Sequence, residues 1–180
     1  MPAYSRQSIG RYLKKADAAA TNDEKGEIFE DLMEYLFSRV PGVPQVRRNS
    51  ISVFRSEELD LVVWNDKHPR GLVSLNTWIP VECKTSGRAI GSHDLQVFIA
   101  KVERRSLDFG IFVAWHGITG DAASLTGAHD HASTALIKGI RVIVITRADI
   151  ERVTSTEDLV ALIRTRLCDL IIKRSPLALD

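Results

Sequence analysis

Two short, continuous apolar runs constrain this chain more than anything else in it: Phe109–Trp115 (FGIFVAW) and Arg141–Thr146 (RVIVIT). A strand without polar alternation has to be covered on both faces, the condition of parallel strands inside an α/β sheet. Between them Asp121 to Lys138 is Ala-rich and reads as helical at least in part, though Gly127 interrupts it. Before them a helix runs from Ser92 or His93 to about Ser106, with Leu95, Phe98, Ile99 and Val102 as its apolar stripe. Strand–helix–strand alternation favours parallel pairing in this half.

The first half reads differently. A helix over residues 5–20 carries Ile9, Tyr12, Leu13 and Ala16 on one face. Thr21 and Glu24 have the capping-box spacing, so a second helix is expected over Asn22 to Ser38, with Ile28, Phe29, Leu32, Met33, Leu36 and Phe37 on its apolar side. Pro41, Gly42 and Pro44 end it. Three extended segments follow: one holding Ile51, Val53 and Val46, then Leu59–Trp64 (LDLVVW), then Thr77–Thr85 (TWIPVECKT), with a loop at Asn65–Gly71. They read as a three-stranded meander. Residues 155–174 make a last helix, with Leu159, Leu162, Ile163, Leu167, Leu170 and Ile171 towards the core.

At 180 residues the chain fits one domain, with a core over about residues 22–146 and the first and last helices packed on it. Lys+Arg 24 against Asp+Glu 23 excludes a tail-driven polyanion binder, though not a local basic groove. With no membrane-length apolar run and no signal-peptide core, a cytoplasmic protein is expected. Two cysteines are too few for a disulfide framework or a thiolate zinc site.

Carboxylates fall in three telling places: Glu27 and Glu30 on the second helix, Asp60 on the second strand, and Glu82 in Val81-Glu82-Cys83-Lys84 on the third. Residues two apart on a strand share a face, so Glu82 and Lys84 project together, and Asp60 on a neighbouring strand reaches the same spot. Two converging carboxylates suit a hard cation such as Mg²⁺. A lysine beside it can orient or help deprotonate a water, or stabilise charge on a phosphate. That is equipment for phosphodiester hydrolysis.

These residues resemble the PD-(D/E)xK nuclease superfamily, with Asp60 as first acid, Glu82 as second, 22 positions on, and Lys84 as the lysine. Leu59 stands in place of the namesake proline. Lys25-Gly26 through Glu30 (KGEIFE) is similar to the helix preceding the core in Mrr-like nucleases and archaeal Holliday-junction resolvases. Glu30 is the matching position there, with Glu27 the alternative. The resemblance implies an α/β restriction-endonuclease-like core, a mixed central sheet flanked by helices. It implies metal-dependent cleavage of DNA by Glu30, Asp60, Glu82 and Lys84, with Mg²⁺ (Mn²⁺ substituting) held by Asp60, Glu82 and the Cys83 carbonyl, and by Glu30 directly or through a water. Two alternatives accompany it: a structure-specific junction resolvase or repair nuclease, and a catalytically silent nuclease-fold subunit that binds or scaffolds.

Phosphate contacts are expected from Arg47, Arg48, Arg88, Arg104 and Arg105, within basic stretches that also hold Arg39, Arg55 and Lys101. Gln96, on the helix after the lysine strand, is a further DNA candidate. Its subtype partner four residues on is Ala100 rather than Tyr. No base-reading module is visible, so a homodimer or a partner subunit of a larger complex is expected to shape target choice. The histidines form no zinc set. His129 and His131 read as decoration of an exposed loop or frayed helix, Cys83 as a core side chain opposite Glu82, and Cys168 as helix core.

Overall fold

The computed structural model describes residues 4–51, 58–87, 89–119 and 127–176. Helix α1 (Arg6–Asp17) starts at Ser5, whose hydroxyl accepts the Ser8 N–H, and buries Ile9, Leu13 and Ala16. Helix α2 (Asn22–Phe37) starts at Thr21, whose hydroxyl accepts the Glu24 N–H. The Glu24 carboxylate takes the N–H of Ala20, one residue earlier than a strict capping box.

Five strands form one sheet in the order β1 (Gln45–Ile51), β2 (Glu58–Trp64), β3 (Trp78–Lys84), β4 (Phe109–Ala114) and β5 (Arg141–Thr146). The first three pair antiparallel and the last three parallel, as the two halves of the sequence predict. Period-2 alternation sorts the side chains between two cores. Leu61, Val63, Ile79, Val81, Ile111 and Ile143 pack towards α1, α2 and the C-terminal helix α6 (Thr156–Lys173). Phe112, Ala114, Val142 and Val144 pack towards α3 (Ser92–Arg104) and α4 (Ala128–Ile137). Gly110 matters to that second layer, because a Cβ there would stand 2.9 Å from the Phe98 ring. Its missing side chain lets α3 settle directly on β4.

The functional detail lies where β2 leaves β3. Their ladder runs from Trp64 opposite Trp78 to Leu61 opposite Val81 and ends there. Beyond that point β2 stays with β1, through Leu59 opposite Ser50 and Glu58 opposite Ile51. Asn49, which would face Asp60, has φ 47° and drops out of the pairing. Asn tolerates the left-handed region better than most residues. A gap therefore opens beside Asp60 on one strand and Glu82 on the other.

Several sequence expectations need correction. Ile171 is 55% exposed and Cys168 is exposed, because α6 turns the row Leu159, Val160, Ile163, Arg166 and Leu170 to the core and these two residues stand off that row. His129 is buried on α4, with its Nδ1 3.5 Å from the Ser175 hydroxyl, rather than lying on an exposed loop. A short helix, α5 (Arg147–Arg152), was not anticipated. It is set by a full capping box between Thr146 and Asp149. Val53, Arg55, Arg88 and the start of the Ala-rich segment lie outside the described residues. Among the described residues no helix is long and apolar enough to cross a membrane.

Candidate active site

Because β2 has parted from β3, the Cys83 N–H that points towards β2 has no backbone partner. Asp60 fills that role, its Oδ2 accepting the Cys83 N–H at 2.7 Å. Strand geometry puts a residue's N–H and C=O on the same edge, so the Cys83 carbonyl also faces the gap. The Cys83 side chain is buried in the opposite core, and burial pushes its thiol well above the ordinary value.

Glu82, 4% exposed at its side chain, turns to the α3 side together with Lys84, whose Nζ lies 2.9 Å from Oε1. A second ammonium reaches it from above: Lys101 Nζ on α3 lies 2.8 Å from Oε2 and 3.0 Å from Oε1. Burial pushes the Asp60 carboxyl up to about 6, and the neighbouring Glu82 charge adds to it, against the pull of the Cys83 N–H and Lys84. Burial pushes the Lys84 ammonium down, but Glu82 and Asp60 outweigh it and hold Lys84 above the ordinary lysine value. Lys84 is thus a cation at neutral pH.

Glu30 approaches from α2, half-buried, while Glu27 is exposed. Burial pushes the Glu30 carboxyl up, against Arg48, and its charge is felt at Asp60. Arg48 is committed to this acidic face: Nη2 lies 3.0 Å from Glu30, Nη1 pairs with Asp31, and Glu34 is 3.9 Å away. The structure therefore brings Asp60, Glu82 and Lys84 together, with Glu30 near enough for its charge to be felt at Asp60 and with Arg48 paired to Glu30.

The other basic candidates spread out. Arg47 and Arg105 line one groove of about 420 Å³ with Leu59, Val62, Trp78 and Leu107, next to Asp60 in sequence and register. Arg104 is exposed at the end of α3. Gln96 lies in the crevice between α3 and α4, about 140° around the helix from Lys101, and does not join the acids. Arg88 lies outside the described residues.

Two pairings were not anticipated: Arg48, expected on phosphate, pairs with Glu30 and Asp31, and Lys101 pairs with Glu82. Arg48 was legible, since it sits two residues after half-buried Val46 and so faces α2, whereas Arg47 faces away. Lys101 was noted only as one of a basic run. Its spacing of three from Phe98 places it beside the buried stripe, but its contact with Glu82 depends on how α3 docks.

Asp60 and Glu82 are hard oxygen donors, joined by a carbonyl on the same gap. This set fits a small divalent cation, which takes one or two carboxylates and fills its remaining positions with water. Among the described residues no three His, Cys, Asp or Glu side chains close round a common point. Asp60, Glu82 and the Cys83 carbonyl would be the protein's share of such a shell.

A mixed five-stranded sheet that parts around an acid, acid and lysine defines a PD-(D/E)xK, restriction-endonuclease-like nuclease fold. A family model described as restriction endonuclease (Mrr_cat) matches residues 21–152, and the chain belongs to that family. Among solved structures it is similar to the small subunit, R.BspD6I2, of the heterodimeric restriction endonuclease R.BspD6I. The TM-score is 0.55 and the identity 12%, over 93% of this chain and 90% of that one. At that identity the likeness speaks for the fold. No curated protein gives a significant match.

Proposed function

We propose that this chain is a divalent-metal-dependent DNA endonuclease of the restriction type. The observation that carries the reading is the convergence at the strand gap: Asp60 fixed by the Cys83 N–H at 2.7 Å, beside Glu82 with Lys84 at 2.9 Å. Asp60, Glu82 and the Cys83 carbonyl would hold Mg²⁺, with Mn²⁺ able to replace it. The ion supplies Lewis-acid stabilisation of the charge that grows on the phosphate.

The chain's own groups do the rest. Lys84, kept cationic by Glu82, orients the attacking water and faces the scissile phosphate. Glu30 borders the same spot and, held by Arg48, receives or passes a proton from water at its free carboxylate oxygen. Arg47 and Arg105 offer phosphate contacts along the adjoining groove, and Arg104 offers another at its rim. Such contacts give salt-sensitive affinity without reading bases.

One Asp60–Glu82–Lys84 set per chain cuts one strand at a time. Cutting a duplex therefore calls for a second copy or a partner subunit, and R.BspD6I2, itself a subunit of a heterodimer, is consistent with that. The test is supercoiled plasmid, single-stranded DNA, four-way junction and RNA, each with Mg²⁺ or chelator. Nicking or linearisation of plasmid with Mg²⁺ is expected, falling by at least about a hundredfold in folded Lys84→Ala. A preference for the junction would favour a resolvase. Equal cleavage by Lys84→Ala would remove the assignment.

A further inference from the structure

We propose that Lys101 is a positioning residue that occupies Glu82 in the metal-free protein and competes with the divalent ion for it. The inference rests on the reading of Glu82 as a metal ligand. A buried carboxylate needs one counter-charge, and Lys84 already supplies it at 2.9 Å. Glu82 nevertheless has a second ammonium on both of its oxygens, at 2.8 and 3.0 Å. Lys101 is the less exposed of the two amines, 13% against 38% for Lys84.

An amine this buried is held by design of the packing, not by chance at the surface. Phe98, seated over Gly110, fixes the depth and rotation of α3, and Lys101 follows three residues later on the same side. Asp60, by contrast, has no ion pair among the described residues and only the Cys83 N–H as its bonded donor. The corner thus carries two acids and two amines, with both amines gathered on one acid.

A divalent cation and an ammonium cannot share the same lone pairs, because each is a localised positive charge at short range. Entry of the ion at Glu82 must therefore displace Lys101 from at least one oxygen. Until then Lys101 keeps the carboxylate oriented towards the gap and offsets its charge. The protein holds its site formed at the cost of weaker metal affinity.

Titration calorimetry with Mn²⁺ alone on the full-length protein tests this, comparing wild type, Lys101→Met and Lys101→Gln without DNA. Both variants are expected to bind Mn²⁺ at least about tenfold more tightly, because a charge-assisted contact no longer has to be broken. The Mn²⁺-induced rise in melting temperature should also be larger in both than in wild type. A residue that merely supports the fold would move affinity the other way. Unchanged or weaker binding in folded variants, with wild type binding, overturns the role of Lys101 and leaves the nuclease reading standing. Absence of Mn²⁺ binding in all three proteins overturns both. Lys101→Gln retains an N–H donor for Glu82 and serves where Lys101→Met does not fold. Failure of both to fold, even with Mn²⁺ present, would show Lys101 to be structural and overturn the proposal.

Discussion

Asp149 and Glu82 are both buried acids that meet cations, and they do so in opposite ways. Asp149 on α5 gives one oxygen to Arg166 of α6 at 2.6 Å, both side chains being 8% exposed. Its other oxygen takes the N–H and the hydroxyl of Thr146, each at 2.9 Å. Acid and cation are matched one to one, and each carboxylate oxygen is satisfied. Glu82 instead holds two lysines, while Asp60 beside it holds none and is pushed up to about 6, first by burial and then by Glu82. Charges there balance only as a group. A pair that serves the fold is closed, whereas a site that exchanges partners, as proposed for Glu82, is left with interchangeable ones. Perturbed titration gathers at the second kind.

The largest effect should come from breaking the closed pair. Arg166→Met leaves Asp149 buried without its cation and is expected to cost about 3–5 kcal/mol in urea unfolding. Cleavage per folded molecule should be unchanged. Lys84→Ala should behave in reverse, losing cleavage while remaining within about 1 kcal/mol of wild type, because Lys101 still covers Glu82. Equal stability losses in the two variants would erase the distinction between them.

A smaller effect separates the acids by pH. A carboxyl raised in the folded state binds a proton more readily there than in the unfolded chain, so ionising it costs stability. For Asp60 the contribution is full below the unfolded value of 3.8 and is lost as pH rises through about 6. In chelator, Asp60→Asn should therefore be the flatter of the two proteins between pH 4 and 7. It should be more stable than wild type at pH 7 by about 1–2 kcal/mol after allowance for solvent screening. Mn²⁺ should stabilise wild type and not the variant. Parallel stability curves in chelator would mean that Asp60 is not destabilised in the folded protein.

Much of this was legible in the sequence, for physical reasons that differ by element. The unbroken FGIFVAW and RVIVIT runs can only be doubly covered strands, and they appear as β4 and β5. Glu82 and Lys84 share a face because a strand alternates, and their contact at 2.9 Å follows. Glu30 could not be separated from Glu27 until α2 was docked, since residues three apart on a helix differ by only about 60°. The pairing of Lys101 with Glu82 needed more: the seat of Phe98 over Gly110 sets the rotation of α3, and no local pattern encodes it. Local rules also fail at ends. Near the end of α6, Ile171 sits at the edge of the apolar face, about 100° on from the buried Leu170, and is left in solvent. Helix α5 was missed although Thr146 and Asp149 carry its capping signal, because six residues are too few for a period to show.

Asp158 supplies the smallest prediction and the sharpest contrast with Asp60. It stands at the start of α6, where its Oδ2 accepts the Thr154 hydroxyl at 2.6 Å, the Thr154 N–H at 2.9 Å and the Ser155 N–H at 3.0 Å. The Thr154 hydroxyl and the N–H donors hold this carboxyl below its ordinary value, opposite in sense to Asp60, although none of these three contacts is with a cation. Neutral donors aimed at a half-buried acid at a helix start favour its charge, whereas deeper burial beside another acid opposes it. The sign of the pH dependence follows. Stability from Asp158 is present above the unfolded value of 3.8 and is lost as pH falls through the lower folded value. Asp158→Ala should cost about 1 kcal/mol at pH 7, as loss of a helix cap does. That deficit should shrink as pH falls below 3.8, while Asp60→Asn departs from wild type only as pH rises. A deficit of undiminished size in acid would show that the cap depends on the shape of Asp158 and not on its charge, and the two carboxylates would no longer mark opposite ends of one electrostatic scale.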